Sequence, residues 1–226
     1  LFLTTDNTNH EIAGYGNFNS TAGILDMTHN STIYFHGLNL SSTGSTEAFA
    51  LSGNSSNLWI MADTLTLGTN TGFTIENSST INIKVTDIIS DGTVVSIASS
   101  AAGISSIQSS NITAGNTGIT TLGDPAGAVF LNTSNNYSLI VWTLLFTSKS
   151  LSQAIQNTFT VSPTDTKGLI SLRANTIELE GGLVYEKGLP TIAPSLQPQV
   201  AIESLIINCA GASTDTEIFH IEDGEM

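Results

Sequence analysis

The sequence predicts an all-β fold, a parallel β-helix (β-solenoid) in which each turn of the chain, or rung, stacks on the one before. Apolar triplets such as Phe49-Ala50-Leu51 come in sets of three, and the sets recur. Phe49 to Phe73 is a step of 24, and Leu58 to Ile81 is a step of 23. Apolar and polar residues alternate within each triplet, which predicts short strands with one face inward. Three strands repeated at this period indicate stacked rungs of about 22–25 residues.

Four regular rungs are predicted, over 24–48, 49–72, 73–94 and 95–118. Stacking would align their apolar residues into three interior columns. The predicted columns are Phe49, Phe73, Val95 and Ile119; Leu58, Ile81, Ile104 and Val129; and Leu65, Ile88 and Ile112. An antiparallel Greek-key sandwich is the alternative, but its strands need not align rung on rung. Coils of this length resemble the right-handed kind of parallel β-helix, since the hexapeptide period of the left-handed kind is absent.

The chain divides into 1–146, predicted as rungs with an N-terminal arm, and 147–226, predicted to continue the same domain. Residues 1–23 contain few apolar groups, and His10, Glu11 and Tyr15 are interpreted as surface or turn residues. The rung from Ile119 is enlarged, with a strand expected at 128–131. A capping box at Ser150 predicts one short helix that ends near position 157. Returning strands are expected within 168–189, at 200–208 and at 217–221.

The regular pattern breaks in the strand predicted over 137–146, where Leu139, Ile140, Val141 and Trp142 are consecutive apolar residues. Both faces of such a strand should be covered, one by the core and the other by the C-terminal part or by another subunit. The lone Cys209 fits a small buried residue or, alternatively, an intermolecular disulfide. The candidate assembly residues are Leu139, Ile140, Val141, Trp142, Leu144 and Cys209.

Charge excludes several classes of partner. Five basic residues stand against nineteen acids, for a net charge of −14. A nucleic-acid backbone or an anionic lipid surface is therefore not an expected partner. No apolar run is long enough to span a membrane as a helix. The sequence begins at Leu1 rather than Met, which indicates a processed chain or an excised segment.

The sequence contains no constellation that predicts a catalytic site, a cofactor or a metal. Asp63 and Asp87, 24 positions apart, could align two carboxylates on one face, although strand-end capping is the plainer interpretation. His36-Gly37 is similar to a His-Gly pair of polygalacturonases, but the accompanying acidic motifs are missing. His29 and His36 lack a third metal ligand at suitable spacing. An enzyme is not predicted, and a polysaccharide lyase or glycosidase stays open as an alternative.

Exposed aromatic residues could instead serve as stacking platforms for glycans. Tyr34 and Trp59 are the candidates for this role, together with Trp142. Packing inside a column or under a lid is the interpretation that the sequence favours for all three.

Rung spacing and composition over residues 24–185 resemble microbial extracellular β-helical surface proteins, namely adhesin and autotransporter passengers, cell-sheath proteins and viral fibres. The resemblance implies a secreted structural protein of the cell surface that self-assembles into a sheath, fibre or surface layer as a homo-oligomer or polymer. It also leaves open a carbohydrate-binding adhesin, a polysaccharide-degrading module and a segment of a viral fibre or tailspike.

Overall fold

The computed structural model describes residues 9–13, 16–28, 30–44, 47–69, 71–98, 101–122, 138–150, 169–179, 183–186, 199–209 and 219–222. This part of the chain consists of strands and the turns between them, with no helix. The strands stack in parallel sheets, an all-β arrangement that is compatible with a β-solenoid.

The described residues contain eighteen strands. In chain order they are β1 (Asn9–Ala13), β2 (Asn17–Ser20), β3 (Leu25–Met27), β4 (Thr32–His36), β5 (Asn39–Ser42), β6 (Phe49–Leu51), β7 (Asn57–Leu67), β8 (Thr71–Ile75), β9 (Thr80–Ser90), β10 (Thr93–Ala98), β11 (Ile104–Gln108), β12 (Asn111–Thr117), β13 (Ile119–Leu122), β14 (Ser138–Ser150), β15 (Leu169–Leu179), β16 (Leu183–Glu186), β17 (Gln199–Cys209) and β18 (Phe219–Glu222).

Two stacked sheets hold most of these strands. The long sheet has eleven strands and follows the order β1-β4-β7-β9-β11-β14-β15-β17, with β2, β5 and β12 beside this path. The short sheet has five strands in the order β13-β10-β8-β6-β3, and β16 pairs with β18. Equivalent strands of successive rungs pair in parallel, as when Leu58 pairs with Ile81. Such pairing at about 4.8 Å places equivalent side chains above one another.

The long strands differ from the short ones that the sequence predicts. The second and third predicted strands of a rung are joined in β7, which runs for 11 residues. At the bend, the N–H groups of Asp63 and Thr64 both donate to the carbonyl of Leu38, at 2.8 and 3.2 Å. The chain therefore turns a corner without losing its hydrogen-bonded partner strand, and no separate turn is needed there.

Two of the three predicted interior columns are confirmed. Phe49 pairs with Phe73, and their rings stack at 4.9 Å with 10° between the planes. Val95 and Ile119 continue this column in register. Leu65, Ile88 and Ile112 are likewise aligned and buried. Repeated apolar positions thus become a continuous core, because each rung covers the next.

The third predicted column is wrong at one position. Ser105, not Ile104, lies inside, buried next to Leu139 of β14, while Ile104 is 67% exposed. The Ser105 hydroxyl oxygen accepts a hydrogen bond from the Ile81 N–H at 3.1 Å. Side chains alternate along a strand, so an error of one residue exchanges the inner and outer faces. Val129 lies outside the described residues.

The stack also begins earlier than predicted. β1 pairs in parallel with β4, and β2 pairs with β5, so these two strands belong to the stack. Residues 1–8, the start of the predicted arm, lie outside the described residues. His10 and Glu11, predicted as surface or turn residues, are residues of β1. Tyr15 is outside the described residues. A sequence with few apolar residues still forms these strands, because the next rung supplies their backbone partners.

The C-terminal strands are confirmed as β15 to β18. Ser150, predicted to begin a helix, is the last residue of β14, and residues 151–157 lie outside the described part. The strand expected at 128–131 also falls outside it. β14 crosses the predicted division at 146–147 without interruption.

Candidate functional site

The irregular strand β14 has one buried face and one exposed face. Leu139 and Val141 are buried in the core, whereas Trp142 is 46% and Leu144 57% exposed. The prediction that one face belongs to the core is confirmed, and the prediction that Trp142 packs inside is wrong. Ile140 is half-buried on the outer face. β15 and β17 do not form the expected lid, because they extend the sheet beyond β14.

An open groove follows the bend of the long strands across the outside of the stack. Each strand contributes consecutive residues to the groove, and these residues occupy equivalent positions on successive strands. For example, Gln108 pairs with Trp142, Trp142 with Arg173, and Arg173 with Glu203. Its two parts, of about 560 and 720 Å³, share Gln108 and Ser109. We call this feature the outer groove, lined by residues within 61–63, 84–86, 108–110, 142–144, 173–175 and 203–205, with Gly37 at one end.

Trp142, Arg173 and Glu203 form a connected set in the C-terminal part of the outer groove. The Arg173 guanidinium carbon lies 4.7 Å from the Trp142 ring centroid. Its Nε is 3.0 Å from Glu203 Oε2, and both side chains are largely exposed. Such an exposed pair contributes little to stability. Its effect is to hold the guanidinium over the indole and to neutralise its charge.

Hydroxyl groups fix the bend that shapes the groove. Thr143 Oγ1 donates toward the carbonyls of Ser110 and Leu145, at 3.0 and 2.9 Å. Ser204 Oγ makes the equivalent contacts two rungs further on, to the carbonyls of Asn175 and Ile206. The Ser110 carbonyl also accepts the N–H groups of Leu144 and Leu145, at 2.9 and 3.0 Å, so the Thr143 hydroxyl adds a further bond to the backbone bonds at the bend.

The charges along the outer groove balance. Among the described lining residues, the charged ones are Asp63, Lys84, Arg173 and Glu203, two of each sign. The chain as a whole carries −14. The groove is therefore a locally neutral strip on an acidic protein.

Tyr34 and Trp59 lie on the outer face but outside the groove. Their rings stack on each other at 6.1 Å with 23° between the planes, and both are partly exposed. The favoured prediction, that they pack inside a column, is wrong. Because each ring covers part of the other, this pair offers less open ring surface than two separate aromatic residues.

The remaining predicted positions are not brought into one site. Asp87 pairs with Thr64, not Asp63, and its Oδ1 accepts from Asn111 Nδ2 at 2.6 Å. The suggested alignment of the two carboxylates is therefore wrong. Cys209 is the last residue of β17 and pairs with Leu179.

Metal-binding groups are equally dispersed in the described part of the chain, where no three His, Cys, Asp or Glu side chains could hold a metal ion together. His36 pairs with Met61 at the N-terminal part of the groove, and His29 is outside the described residues.

Sequence reasoning missed the outer groove as a site. The available signal was the repeated gap between the second and third apolar triplets of each rung, which contains Asp63, Thr86 and Ser110. Only the stacking register shows that these gaps form one continuous surface.

Comparisons with protein-family models, curated proteins and solved structures find no match. Within the described residues, no helix is both long and apolar enough to pass through a membrane.

Proposed function

We propose that this chain is a structural protein of a microbial cell surface, a right-handed β-solenoid forming one continuous domain that polymerises end to end into a fibre or sheath. The low content of charged residues and the abundance of Ser, Thr, Asn and Gly support this kind of protein. The observation that carries the proposal is the open end of the long sheet at β17.

The last strand of the long sheet leaves its core positions partly uncovered. Ile202 and Ile207 are only partly buried, although they pair with Leu172 and Ile177, which are fully buried. No described strand pairs with the far edge of β17. An unpaired edge with uncovered apolar residues favours addition of a further strand.

The opposite end of the sheet provides a suitable strand. β1 pairs only with β4 among the described strands, so its other edge has no described partner. Parallel stacking gives the two ends the same strand direction, and β1 of a second copy can continue the sheet after β17. A head-to-tail contact of this kind does not close on itself and generates a filament.

A substitution inside the open end tests the proposal. Ile202→Lys places an inward-pointing charge at the edge, a feature that blocks strand addition. We expect wild-type protein to form concentration-dependent oligomers in multi-angle light scattering and filaments in electron microscopy, and we expect the variant to be monomeric.

Leu205→Lys is the matched control, because it adds the same charge on the same strand at an outward-facing residue that is 85% exposed. It should assemble as the wild type does. A monomeric wild type would refute the proposal, and dissociation by Leu205→Lys alone would replace end-to-end stacking with lateral association. Circular dichroism verifies that both variants keep their β structure.

A further inference from the structure

We propose that the C-terminal part of the outer groove, around Trp142, binds a neutral linear polysaccharide along the stacking axis. This binding site is independent of end-to-end assembly, since the groove lies on the side of the stack. The inference follows from the length and openness of the groove, its mixture of side chains and its balanced charge.

The shape of the groove fits a chain rather than a small molecule. It crosses β7, β9, the β11–β12 junction, β14, β15 and β17. With neighbouring strands about 4.8 Å apart, these six levels span roughly 24 Å. One pyranose unit of an extended glycan has about the length of one such step. Successive sugars can therefore meet equivalent positions on successive rungs.

The side chains in this part of the groove suit a polyhydroxylated ligand. The Arg173 guanidinium covers part of the Trp142 indole at 4.7 Å, and the C–H groups of a sugar can pack against the part of the ring that stays exposed. Gln108, Asn175 and Glu203 surround it with exposed amide and carboxylate groups that can bond hydroxyls. The hydroxyl oxygen of Thr143 keeps acceptor capacity after donating to the backbone.

The electrostatics favour a neutral glycan over an acidic one. Glu203 neutralises Arg173 at 3.0 Å, and the charges of the described groove residues sum to zero. The chain's charge of −14 repels a polyanion at longer range. An acidic polysaccharide would need unpaired cations, of which this part of the groove lining has none.

A peptide strand fits the groove less well than a glycan. Peptides that extend a sheet need a free strand edge. β14 is paired on both sides, with β11 and β12 on one edge and β15 on the other. The backbone of β14 at the groove floor is thus already engaged, and around Trp142 only side chains are available to a ligand.

The aromatic group distinguishes the two parts of the groove. The N-terminal part is lined by Met61, Ala62 and Val85 but by no aromatic residue. The C-terminal part has Trp142 together with Leu144 and Leu205. The principal sugar contacts are therefore assigned to β14, β15 and β17.

The test measures binding of soluble hexasaccharides of neutral glucan, xylan and mannan by isothermal titration calorimetry, with oligogalacturonate as the acidic probe. At least one neutral hexasaccharide should bind, and oligogalacturonate should bind more weakly. Trp142→Ala should weaken neutral binding about tenfold, consistent with loss of one aromatic contact.

Trp59→Ala is the matched control, since Trp59 is 44% exposed on the same outer face but outside the groove. It should change the affinity by no more than about twofold, as expected for a surface residue without a role. Circular dichroism confirms that both variants are folded.

Three results would overturn the inference: no binding of any neutral hexasaccharide, stronger binding of oligogalacturonate, or equal losses in the two Trp variants. The assembly state of Ile202→Lys is measured separately, so failure here leaves the proposed function untouched.

Discussion

The middle of the stack and its last long strand bury equivalent residues to different extents. Phe73 has a strand on either side, pairs with Phe49 and Val95, and is fully buried. Ile207 occupies an inward position too, but Ile177 covers it from one side only. In a stacked fold, burial of a side chain therefore depends on having neighbours on both adjacent levels, because each rung contacts only the next ones.

The largest expected effect tests this difference directly. Phe73→Ala should lower the free energy of unfolding by about 3–5 kcal/mol, since a ring stacked between two rungs leaves a cavity. In protein dilute enough to be monomeric, Ile207→Ala should cost about 1 kcal/mol, because the site is then open on one side. Urea unfolding followed by circular dichroism measures both. Equal losses would show that β17 is covered in solution, as end-to-end assembly predicts, and dilution should then separate the two values.

A smaller loss of stability is expected from a substitution that disturbs the close approach of successive rungs at a turn. A Cβ at Gly68 would collide with the carbonyl oxygen of Gly44 on the rung before. Gly68→Ala should therefore cost about 2 kcal/mol, as the rungs must move apart. Gly16→Ala is the control, because no atom lies within 4 Å of its added Cβ. Thermal unfolding compares the two, and a similar loss in Tm would argue against close stacking at this turn.

The smallest expected effect tests which residues of β11 face the core and which face outward. Ser105→Ala removes the acceptor of the buried Ile81 N–H and should cost about 1 kcal/mol. Ile104→Ala removes a larger side chain, yet it should cost less than about 0.5 kcal/mol since that residue is mostly exposed. If Ile104→Ala were the more destabilising of the two in urea unfolding, the register of β11 would have to shift by one residue.

Much of the stack could be predicted from the sequence, and the errors have physical causes. The column from Phe49 to Ile119 can be recognised in the sequence because every level places an apolar residue there, at steps of 24, 22 and 24. The prediction placed Ile104 inside, but the small polar residue Ser105 occupies the interior position and is stabilised there by a hydrogen bond. A search for periodic apolar residues cannot detect a polar residue at an interior position.

The candidate site was less predictable than the core. The run from Leu139 to Trp142 contains only apolar residues, so alternation could not show which of them face outward. Trp142 meets Arg173 and Glu203 only through pairing of strands that are 31 and 30 residues apart in the sequence. The repeat period of the earlier rungs does not predict that contact, because the segments between β14, β15 and β17 differ in length from those of the earlier rungs.

The parallel register of the central rungs has a consequence for how such a protein can change its length. Leu58 pairs with Ile81, 23 positions later, and Asn57 with Thr80 over the same distance. Duplication or loss of one such segment would leave the inner columns continuous, with no new interface to be devised. The gene can thus lengthen or shorten the molecule in whole rungs, and the reach of the outer groove would change by one level each time.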